Sequence, residues 1–315
     1  MMAIQMTQSQ SKFLMGVLNI TPNSFSDGGQ YNHEDSCFSQ VNSLLSQRVS
    51  YLDCGAESTA PFNKACSLKD ECKRFEEILF PALLRLSKGG DFNHKAFFEE
   101  GTLSIDTYRP ETFYFVADFI RTKWQGLRLL WNDVSGTLDD DTLYILKSFP
   151  RCEYVYCHNL APERVETQNH KMYFYDGPDS EDGFIEHLYK YFCQGLEFFN
   201  KSDLAHRVIL DPCFGFSKTM AQNKVLLNQL IGLVGRFSKE VRWLIGISRK
   251  SFLQDSVKGH RKDPKDWAVV ESLHCGLLSL WFQKLWDNTL IFRVHEPHVY
   301  YGALQASSLL SMGKE

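Results

Sequence analysis

Eight short apolar runs recur along the chain, and each is followed by a longer segment with the apolar spacing of a helix. The runs cover 13–20, 51–57, 102–107, 129–134, 154–159, 208–213, 243–248 and 290–295. The helical segments cover 36–48, 69–87, 110–123, 139–148, 180–200, 221–238, 264–286 and 298–311. Because strands that are apolar throughout and alternate with helices form parallel sheets, this pattern predicts an α/β fold of the (β/α)₈ barrel type.

The pattern indicates a single barrel domain over 13–315, preceded by a flexible segment over 1–12. Two long stretches, 87–101 and 160–180, are rich in turn-forming residues and are predicted to be irregular connections, either lids or plain surface loops. With 315 residues, of which 43% are hydrophobic, the chain is long enough to bury one large core.

Charge and hydropathy indicate which kinds of molecule the chain can bind. The net charge is −4 and no basic stretch is denser than Arg249-Lys250 or Arg261-Lys262, so we expect no nucleic-acid binding. No segment has the roughly 20 uninterrupted apolar residues of a membrane span, and the first residues lack a signal-peptide pattern, so we expect no membrane association and a cytoplasmic location. The nine cysteines form no C-x-x-C pair, which favours free thiols over a zinc site or a disulfide framework. The expected ligand is a small molecule.

Nearly every apolar run ends in polar or ionisable residues. They are Asn19, Asp53, Glu57, Asp106, Asn132, Asp133, His158, Asp211, Ser248, Arg293 and His295. In a (β/α)₈ barrel the carboxyl ends of the strands meet on one face, where active sites lie. Since a buried polar group without a partner costs several kcal/mol, this repetition predicts a binding site at the strand ends.

Four of these side chains, together with the neighbouring Lys250, suit a flat, polar heterocycle. Asp106 and Asp211 accept hydrogen bonds, and Asn132 both donates and accepts, which matches a ring edge that carries several N–H donors. Lys250 would donate to ring carbonyl or nitrogen atoms. The guanidinium of Arg293 can stack on an aromatic face. The residue chemistry therefore favours a bicyclic ligand.

A second group suits a phosphate beside that ring. Arg293, His295 and Asn19 together could hold it. Asn19 could alternatively offer its carbonyl oxygen to Mg²⁺. Near Asn19 the stretch MGVLNITPNSFSDGG, residues 15–29, runs from an apolar strand into a polar loop. Such a loop is either an ordinary surface turn or a lid over a ligand at the strand end.

Seven motifs in order carry a resemblance to a known family. They are MGVLNITPNSFSDGG, LDCGAEST, SIDTYRPE, WNDVSG, ILDPCFGFSKT, IGISRKSFL and FRVH, spanning residues 13–296. This series resembles that of the dihydropteroate synthases. The resemblance implies a homodimeric (β/α)₈ barrel that joins 6-hydroxymethyl-7,8-dihydropterin pyrophosphate to p-aminobenzoate and releases pyrophosphate with the help of Mg²⁺.

The resemblance also implies roles for individual residues. The pterin would be bound by Asp106, Asn132, Asp211, Lys250 and Arg293. The pyrophosphate would be bound by Asn19, Arg293 and His295, with Asn19 near the metal. The p-aminobenzoate pocket would be formed by Thr59, Pro61, Phe216, Lys250 and Ser251. The residues implied to act in catalysis are Lys250, Asp106, Arg293, Phe25 and Asp27, the last two on a lid that includes Ser26 and excludes water from a cationic intermediate.

The chain departs from the family pattern at several positions. Ala60 and Phe62 replace the arginine and glycine of S-T-R-P-G, which removes a cation that would contact the pyrophosphate. Cys213 and Ser217 replace glycines of D-P-G and G-F-G-K, which predicts a locally altered loop. The lost arginine corresponds to roughly ten- to a hundredfold in rate unless Arg109, Lys64 or Arg249 compensates.

These departures leave three hypotheses. The first is an active, divergent dihydropteroate synthase, supported by the complete pterin set and the lid sequence. The second is a non-catalytic pterin-binding paralogue, motivated by Ala60 and Phe62. The third is a folate-dependent methyltransferase barrel, which the SRKS motif and the lid sequence disfavour.

Overall fold

The computed structural model describes residues 14–21, 33–57, 65–89, 91–160, 181–254, 264–285 and 289–311. Eight strands within these ranges form one closed parallel barrel in the order of the sequence, which confirms the predicted (β/α)₈ fold. The strands are β1 Leu14–Asn19, β2 Tyr51–Gly55, β3 Thr102–Asp106, β4 Arg128–Asp133, β5 Cys152–Cys157, β6 Val208–Asp211, β7 Arg242–Ile245 and β8 Leu290–Val294.

Helices follow the strands as the apolar spacing predicts. They are α1 His33–Ser46, α2 Leu68–Arg74, α3 Phe80–Ser87, α4 Phe92–Glu100, α5 Pro110–Lys123, α6 Asp140–Ser148, α7 Glu181–Asn200, α8 Met220–Val234, α9 Ser251–Gln254, α10 Pro264–Lys284 and α11 Pro297–Ser311. A π-helical turn, Phe75–Leu79, joins α2 to α3, so the helix predicted over 69–87 is continuous but not uniformly α-helical.

Contacts divide the chain into two compact units, with the boundary between Val155 and Tyr156. In the first unit, β1 to β4 pair in register, so that Gly55 lies beside Asp106 and Asp106 beside Asn132. Its core includes Trp131, which packs against Phe113 with ring centroids 5.1 Å apart. The strand ends of this unit therefore present their polar residues at one level.

The second unit contains β6, β7 and β8, whose strands are apolar and buried along most of their length. Trp243 on β7 contacts Phe192 and Phe237, with ring centroids 5.3 Å apart in each pair. On α10, Trp281 and Phe282 are buried in the core.

The segment 87–101 is not the irregular connection that its turn-forming residues predict, because it contains α4. Asp91 caps this helix by accepting hydrogen bonds from the backbone N–H groups of Asn93 and His94. Phe97 and Phe98 are buried, so tertiary packing stabilises a helix of weak amphipathicity. Most of 160–180 lies outside the described residues.

No helix in the described part of the chain is both long and apolar enough to cross a lipid bilayer. All nine cysteines are free thiols.

Candidate functional site

In the first unit, three strands meet through a buried carboxylate. Asp53 on β2 accepts a hydrogen bond from Ser104 Oγ at 2.6 Å and one from Asn132 Nδ2 at 3.1 Å. Because Asn132 directs its amide nitrogen at Asp53, its carbonyl oxygen is left to accept from a ligand. The sequence placed Asp53 at a strand end but gave it no role; its position inside an apolar run was the signal for a buried polar partner.

Asp106 ends β3 beside this group and is almost fully buried. Its neighbour on β2 is Gly55, where an added Cβ would lie 3.4 Å from both Cβ and Oδ2 of Asp106. A methyl group at position 55 would therefore lie in ordinary van der Waals contact with the Asp106 side chain. The two strand ends are closely packed at this point.

Asp133, the last residue of β4, belongs to a different environment. Its carboxylate accepts from Ser135 N–H, Ser135 Oγ and Tyr154 Oη. Burial raises its pKa to about 6, although these hydrogen bonds act in the opposite direction. Side chains alternate along a strand, so Asp133 and its neighbour Asn132 point to opposite faces and only Asn132 joins the Asp53 group.

Arg109 lies between two buried glutamates. Its Nη1 donates to Glu57 Oε2 and to Glu71 Oε2, both at 2.6 Å, and its Nη2 donates to the Cys66 carbonyl at 2.7 Å. Thr112 Oγ1 also donates to Glu71. Both terminal nitrogens of Arg109 are therefore engaged, and this guanidinium is not available to replace the arginine absent at position 60.

Asn19 ends β1 with an exposed side chain. The backbone continues beyond it in register with β2, because Ile20 N–H donates to the Gly55 carbonyl at 2.8 Å. Its carboxamide oxygen is a ligand of the kind that Mg²⁺ accepts. Its role as a metal ligand stays a prediction.

In the second unit, Asp211 ends β6 and is buried. Its Oδ1 accepts from Cys213 N–H at 2.7 Å, and Cys157 Sγ lies 3.9 Å from its Oδ2. Burial raises the pKa of Asp211, opposed by the Cys213 hydrogen bond and by the charges of Lys250, Lys218 and Arg293. Asp211 is therefore a carboxylate held among cations.

The loop after β6 is fixed by Lys218. Its buried Nζ donates to the carbonyl oxygens of His158, Cys213 and Phe216 at 3.0–3.2 Å. Burial lowers the pKa of Lys218 to about 8. The backbone φ is positive at Cys213 and Ser217, +56° and +43°, in the region that glycine adopts most readily.

Lys250 follows β7 and is half-buried beside this loop. Its Nζ lies 4.5 Å from the centroid of the Phe216 ring, within the range of a cation–π contact. The loop backbone lies against the Lys250 side chain, because a Cβ at Gly215 would lie 3.5 Å from Lys250 Cδ. Burial lowers the pKa of Lys250 and Arg293 adds to this effect, while Cys213 and Asp211 oppose it. Lys250 and Phe216, predicted to share a pocket, are in contact.

His295 is connected to a buried glutamate through a serine. Ser248 Oγ donates to Glu271 Oε1 at 3.0 Å and lies 3.0 Å from His295 Nδ1. Because the serine proton goes to Glu271, the Nδ1–H tautomer of His295 fits this chain of hydrogen bonds. Burial lowers the pKa of His295 to about 3, and Arg293 adds to this effect, so the imidazole is neutral. Glu271 was not among the residues predicted to form the site.

Two arginines, Arg249 and Arg293, lie near the end of β8. Arg249 forms ion pairs with Glu296 and, at 3.6 Å from its Nε, with Glu271. Arg293 on β8 faces Gly246, where a Cβ would lie 3.7 Å from the Arg293 Cβ. Arg249 is thus engaged by two carboxylates and is no substitute for the arginine absent at position 60.

Two histidines without a predicted role are buried. His274 Nδ1 lies 2.6 Å from Tyr300 Oη, and His94 packs inside the first unit. His158, at the end of β5, is also buried, with its Nε2 3.2 Å from His187 Nε2. Nothing in the local sequence distinguishes these from exposed histidines, because their burial follows from the packing of distant helices.

The buried histidines predict a loss of stability in mild acid. Burial lowers the pKa of His158 and of His274, so the folded state keeps them neutral while the unfolded state takes up protons below about pH 6.5. The stability that the neutral histidines contribute is present well above that pH and is lost as the pH falls through it. The loss is roughly 1–2 kcal/mol between pH 7 and pH 6 once Asp133, which titrates in the opposite sense, is included.

Urea denaturation at the two pH values measures this difference. His274→Gln is expected to reduce the pH dependence, whereas His206→Gln, at an exposed position, is expected to leave it unchanged. An equal pH dependence in His274→Gln and the wild type would contradict the assignment.

Several predicted site residues cannot be placed. Phe25, Asp27, Thr59 and Pro61 lie outside the described residues. Ser251 begins α9, but its side chain is also outside the described part. Their roles remain predictions.

The fold and the strand-end residues define a (β/α)₈ barrel with buried carboxylates, an oriented amide and a half-buried lysine. The family model described as "Pterin binding enzyme" matches residues 15–278, and the chain belongs to this family.

Curated relatives agree with this membership. The chain is 28% identical over 277 residues to a folate synthesis bifunctional protein of Arabidopsis thaliana, covering 86% of this chain and 52% of that protein. It is 27% identical over 248 residues to a dihydropteroate synthase of Staphylococcus haemolyticus, covering 78% of this chain and 77% of that enzyme. The chain spans about half the length of the bifunctional relatives it matches.

Solved structures of low identity share the fold. A dihydropteroate synthase of Xanthomonas albilineans with 4-aminobenzoic acid is 22% identical, with a TM-score of 0.70 over 95% of this chain and 93% of that one. A Yersinia pestis dihydropteroate synthase in a sulfonamide drug complex is 23% identical, with a TM-score of 0.71 over 96% and 95%. At this identity the likeness establishes the barrel alone.

Proposed function

We propose that this chain is a dihydropteroate synthase, which condenses 6-hydroxymethyl-7,8-dihydropterin pyrophosphate with p-aminobenzoate to give 7,8-dihydropteroate and pyrophosphate. One observation carries the proposal. The acceptors and donors at the strand ends, in a chain of the pterin-binding family, match the hydrogen-bonding edge of a pterin. They are Asp106, Asn132, Asp211, Lys250 and Arg293.

The pterin role rests on how these side chains are held. Asn132 is oriented by Asp53, which supports its carbonyl oxygen as an acceptor for ring N–H groups. Asp211 is held by Cys213 N–H through Oδ1, and its Oδ2, 3.9 Å from the Cys157 thiol, can accept from a ligand. Both groups accept from the N–H donors of the ring, and Lys250 donates to its carbonyl or nitrogen atoms.

The pyrophosphate role is assigned to Arg293, His295 and Asn19. Since His295 is neutral in this environment, Arg293 is the cation of the set and the imidazole contributes a hydrogen bond. The exposed carboxamide oxygen of Asn19 fits a hard cation, and we propose that it contacts Mg²⁺. The ion would neutralise negative charge on the departing pyrophosphate.

The p-aminobenzoate role is assigned to Phe216 and Lys250, together with Thr59, Pro61 and Ser251. Breaking the C–O bond to pyrophosphate leaves a cationic methylene-pterin, which water would capture unless it is excluded. We propose that Phe25 and Asp27 belong to the lid that excludes it. The amine of p-aminobenzoate then attacks the methylene carbon and releases its proton.

The oligomeric state comes from the family resemblance, and the location comes from the sequence pattern. We propose that the protein acts as a homodimer, which sedimentation velocity would test. The predicted cytoplasmic location remains a prediction.

A second candidate function is pterin binding without catalysis. Ala60 and Phe62 stand in the loop that usually carries the arginine, and both Arg109 and Arg249 are engaged by carboxylates. A methyltransferase barrel has no comparable observation in its favour.

Incubation with dihydropterin pyrophosphate and Mg²⁺, with and without p-aminobenzoate, separates the candidates. Pyrophosphate release and dihydropteroate mass that both depend on p-aminobenzoate are expected for the synthase. Pterin binding without product would contradict the proposal and favour the binding paralogue.

The Asp53 group gives a prediction about pterin affinity. Asp53→Ala leaves Ser104 and Asn132 without their acceptor, so Asn132 loses its orientation. With about 1–3 kcal/mol for such a loss, pterin affinity is expected to fall roughly five- to a hundredfold. Calorimetric titration with a pterin measures it.

Asp53→Asn is the matched control, because its carbonyl oxygen can still accept from both donors. It is expected to recover much of the affinity, with the KM for p-aminobenzoate unchanged in both variants. Equal pterin affinity in the wild type and Asp53→Ala would remove Asp53 from the positioning role.

A further inference from the structure

Two cysteine thiols converge on Asp211 in the second unit. Cys157 ends β5, Asp211 ends β6 and Cys213 lies two residues further along the chain. The Sγ atoms of the two cysteines and a carboxylate oxygen of Asp211 all lie within 4.8 Å of one another, and all three residues are buried. The backbone holds the strand ends together, because His158 N–H donates to the Asp211 carbonyl at 2.9 Å.

Cys213 occupies a position that does not favour a side chain. Its φ is +56°, in the left-handed region, where a non-glycine residue costs about 1 kcal/mol or more. The resembling family has glycine here. A buried thiol is therefore kept at an unfavourable backbone conformation, and the proposed pterin contacts do not use it.

The donor set suits a thiophilic divalent cation. Zinc binds thiolates at about 2.3 Å in a tetrahedral arrangement, which places two sulfur ligands roughly 3.8 Å apart. The present separations require side-chain shifts of only about 1 Å to reach that geometry. Asp211 Oδ1 is held by Cys213 N–H, while Oδ2 lies 3.9 Å from Cys157 Sγ. The carboxylate is thus already positioned to supply a third ligand.

The surrounding charges favour the metal-binding form of the thiols. Lys218 and Lys250 both lie close to the two cysteines. A thiolate at Cys157 or Cys213 would raise the pKa of each of these lysines. Neighbouring ammonium groups stabilise thiolates, which are the form that binds metal. Binding of a divalent cation with release of two thiol protons leaves the net charge of the buried cluster unchanged, so the ion adds no uncompensated charge.

We propose that Cys157, Cys213 and Asp211 form a binding site for a thiophilic divalent cation of the zinc class. The fourth position of the tetrahedron is open to a solvent molecule. A further consequence rests on the proposed function: an ion on Asp211 and a pterin would compete for this carboxylate.

The test is metal binding in the absence of any pterin. The full chain, stripped with a chelator under reducing conditions, is titrated with Zn²⁺ by calorimetry and with Cd²⁺ by the ultraviolet charge-transfer absorption of cadmium–thiolate bonds. The variants are Cys213→Gly and Cys157→Ala, with Cys193→Ser as the matched control, since Cys193 lies on α7 outside the cluster. We expect each cluster variant to bind one ion fewer than the wild type, and Cys193→Ser to match the wild type.

Equal stoichiometry in all four proteins would overturn the site. Cys213→Gly is expected to fold, because glycine relieves the positive φ. A measurement on the wild type alone removes any dependence on variant folding: Zn²⁺ is expected to protect Cys157 and Cys213 together from iodoacetamide in a mass map. Modification of both cysteines at the same rate with and without Zn²⁺ would also overturn it. Because neither readout uses turnover, failure of the proposed synthase activity would leave this result standing.

Discussion

Ala60→Arg is expected to raise the rate of dihydropteroate formation by roughly ten- to a hundredfold. A charge-assisted hydrogen bond to pyrophosphate contributes about 1.5–3 kcal/mol, which corresponds to that factor in rate. Two of the three candidate substitutes are engaged elsewhere, because Arg109 donates to Glu57 and Glu71 and Arg249 pairs with Glu296. The third, Lys64, lies outside the described residues. Steady-state kinetics of pyrophosphate release measure the change.

Asn200→Arg is the matched control for charge. It adds the same positive charge at the exposed end of α7, where the helix dipole favours a cation. This variant is expected to keep the wild-type rate. An unchanged rate in Ala60→Arg would mean that Lys64 supplies the cation or that none is needed.

Lys250→Ala is expected to weaken pterin binding by roughly ten- to a hundredfold and to raise the KM for p-aminobenzoate. The change removes the donor to the ring and the cation 4.5 Å from the Phe216 ring centroid, each worth about 0.5–3 kcal/mol. Calorimetry with the pterin and kinetics with varied p-aminobenzoate separate the two effects.

Lys224→Ala on the exposed face of α8 serves as the control, because it removes a lysine that contacts neither Asp211 nor Phe216. It is expected to leave both parameters unchanged. Wild-type pterin affinity in Lys250→Ala would exclude Lys250 from the pterin site.

The barrel could be predicted because its signal is local and repeated. Each apolar run overlaps its strand, with ends that agree to within three residues, and Asp139 caps α6 at the start of the helical segment predicted over 139–148. The π-helical turn Phe75–Leu79 gave no such signal, since its apolar spacing resembles that of an α-helix. The helix α4 was missed because Gly89 and Asp91 read as a turn, although Asp91 is its N-cap.

The site could be predicted only as a set of residues. Asp211 and Lys250 could be named from strand ends and motifs, but the contact of Asp53 with Asn132 spans 79 residues of sequence. The pair Glu271 and Ser248 and the pair Cys157 and Cys213 are likewise distant in the sequence and close in the fold. Which side chains meet depends on the register of the strands and on the face to which each side chain points. A one-residue shift of register moves every side chain of the strand to the opposite face.

The loop tied by Lys218 has a thermodynamic consequence for ligand binding. One ammonium group holds two of its carbonyl oxygens and joins them to the His158 carbonyl after β5. Asn223 accepts from Gly215 N–H at 2.8 Å and donates to the Thr219 carbonyl. The conformational entropy of this loop is therefore lost when the chain folds, not when a ligand arrives. A preorganised surface of this kind discriminates by shape: rigid planar molecules that match it lose little freedom on docking, and flexible analogues of equal polarity lose more.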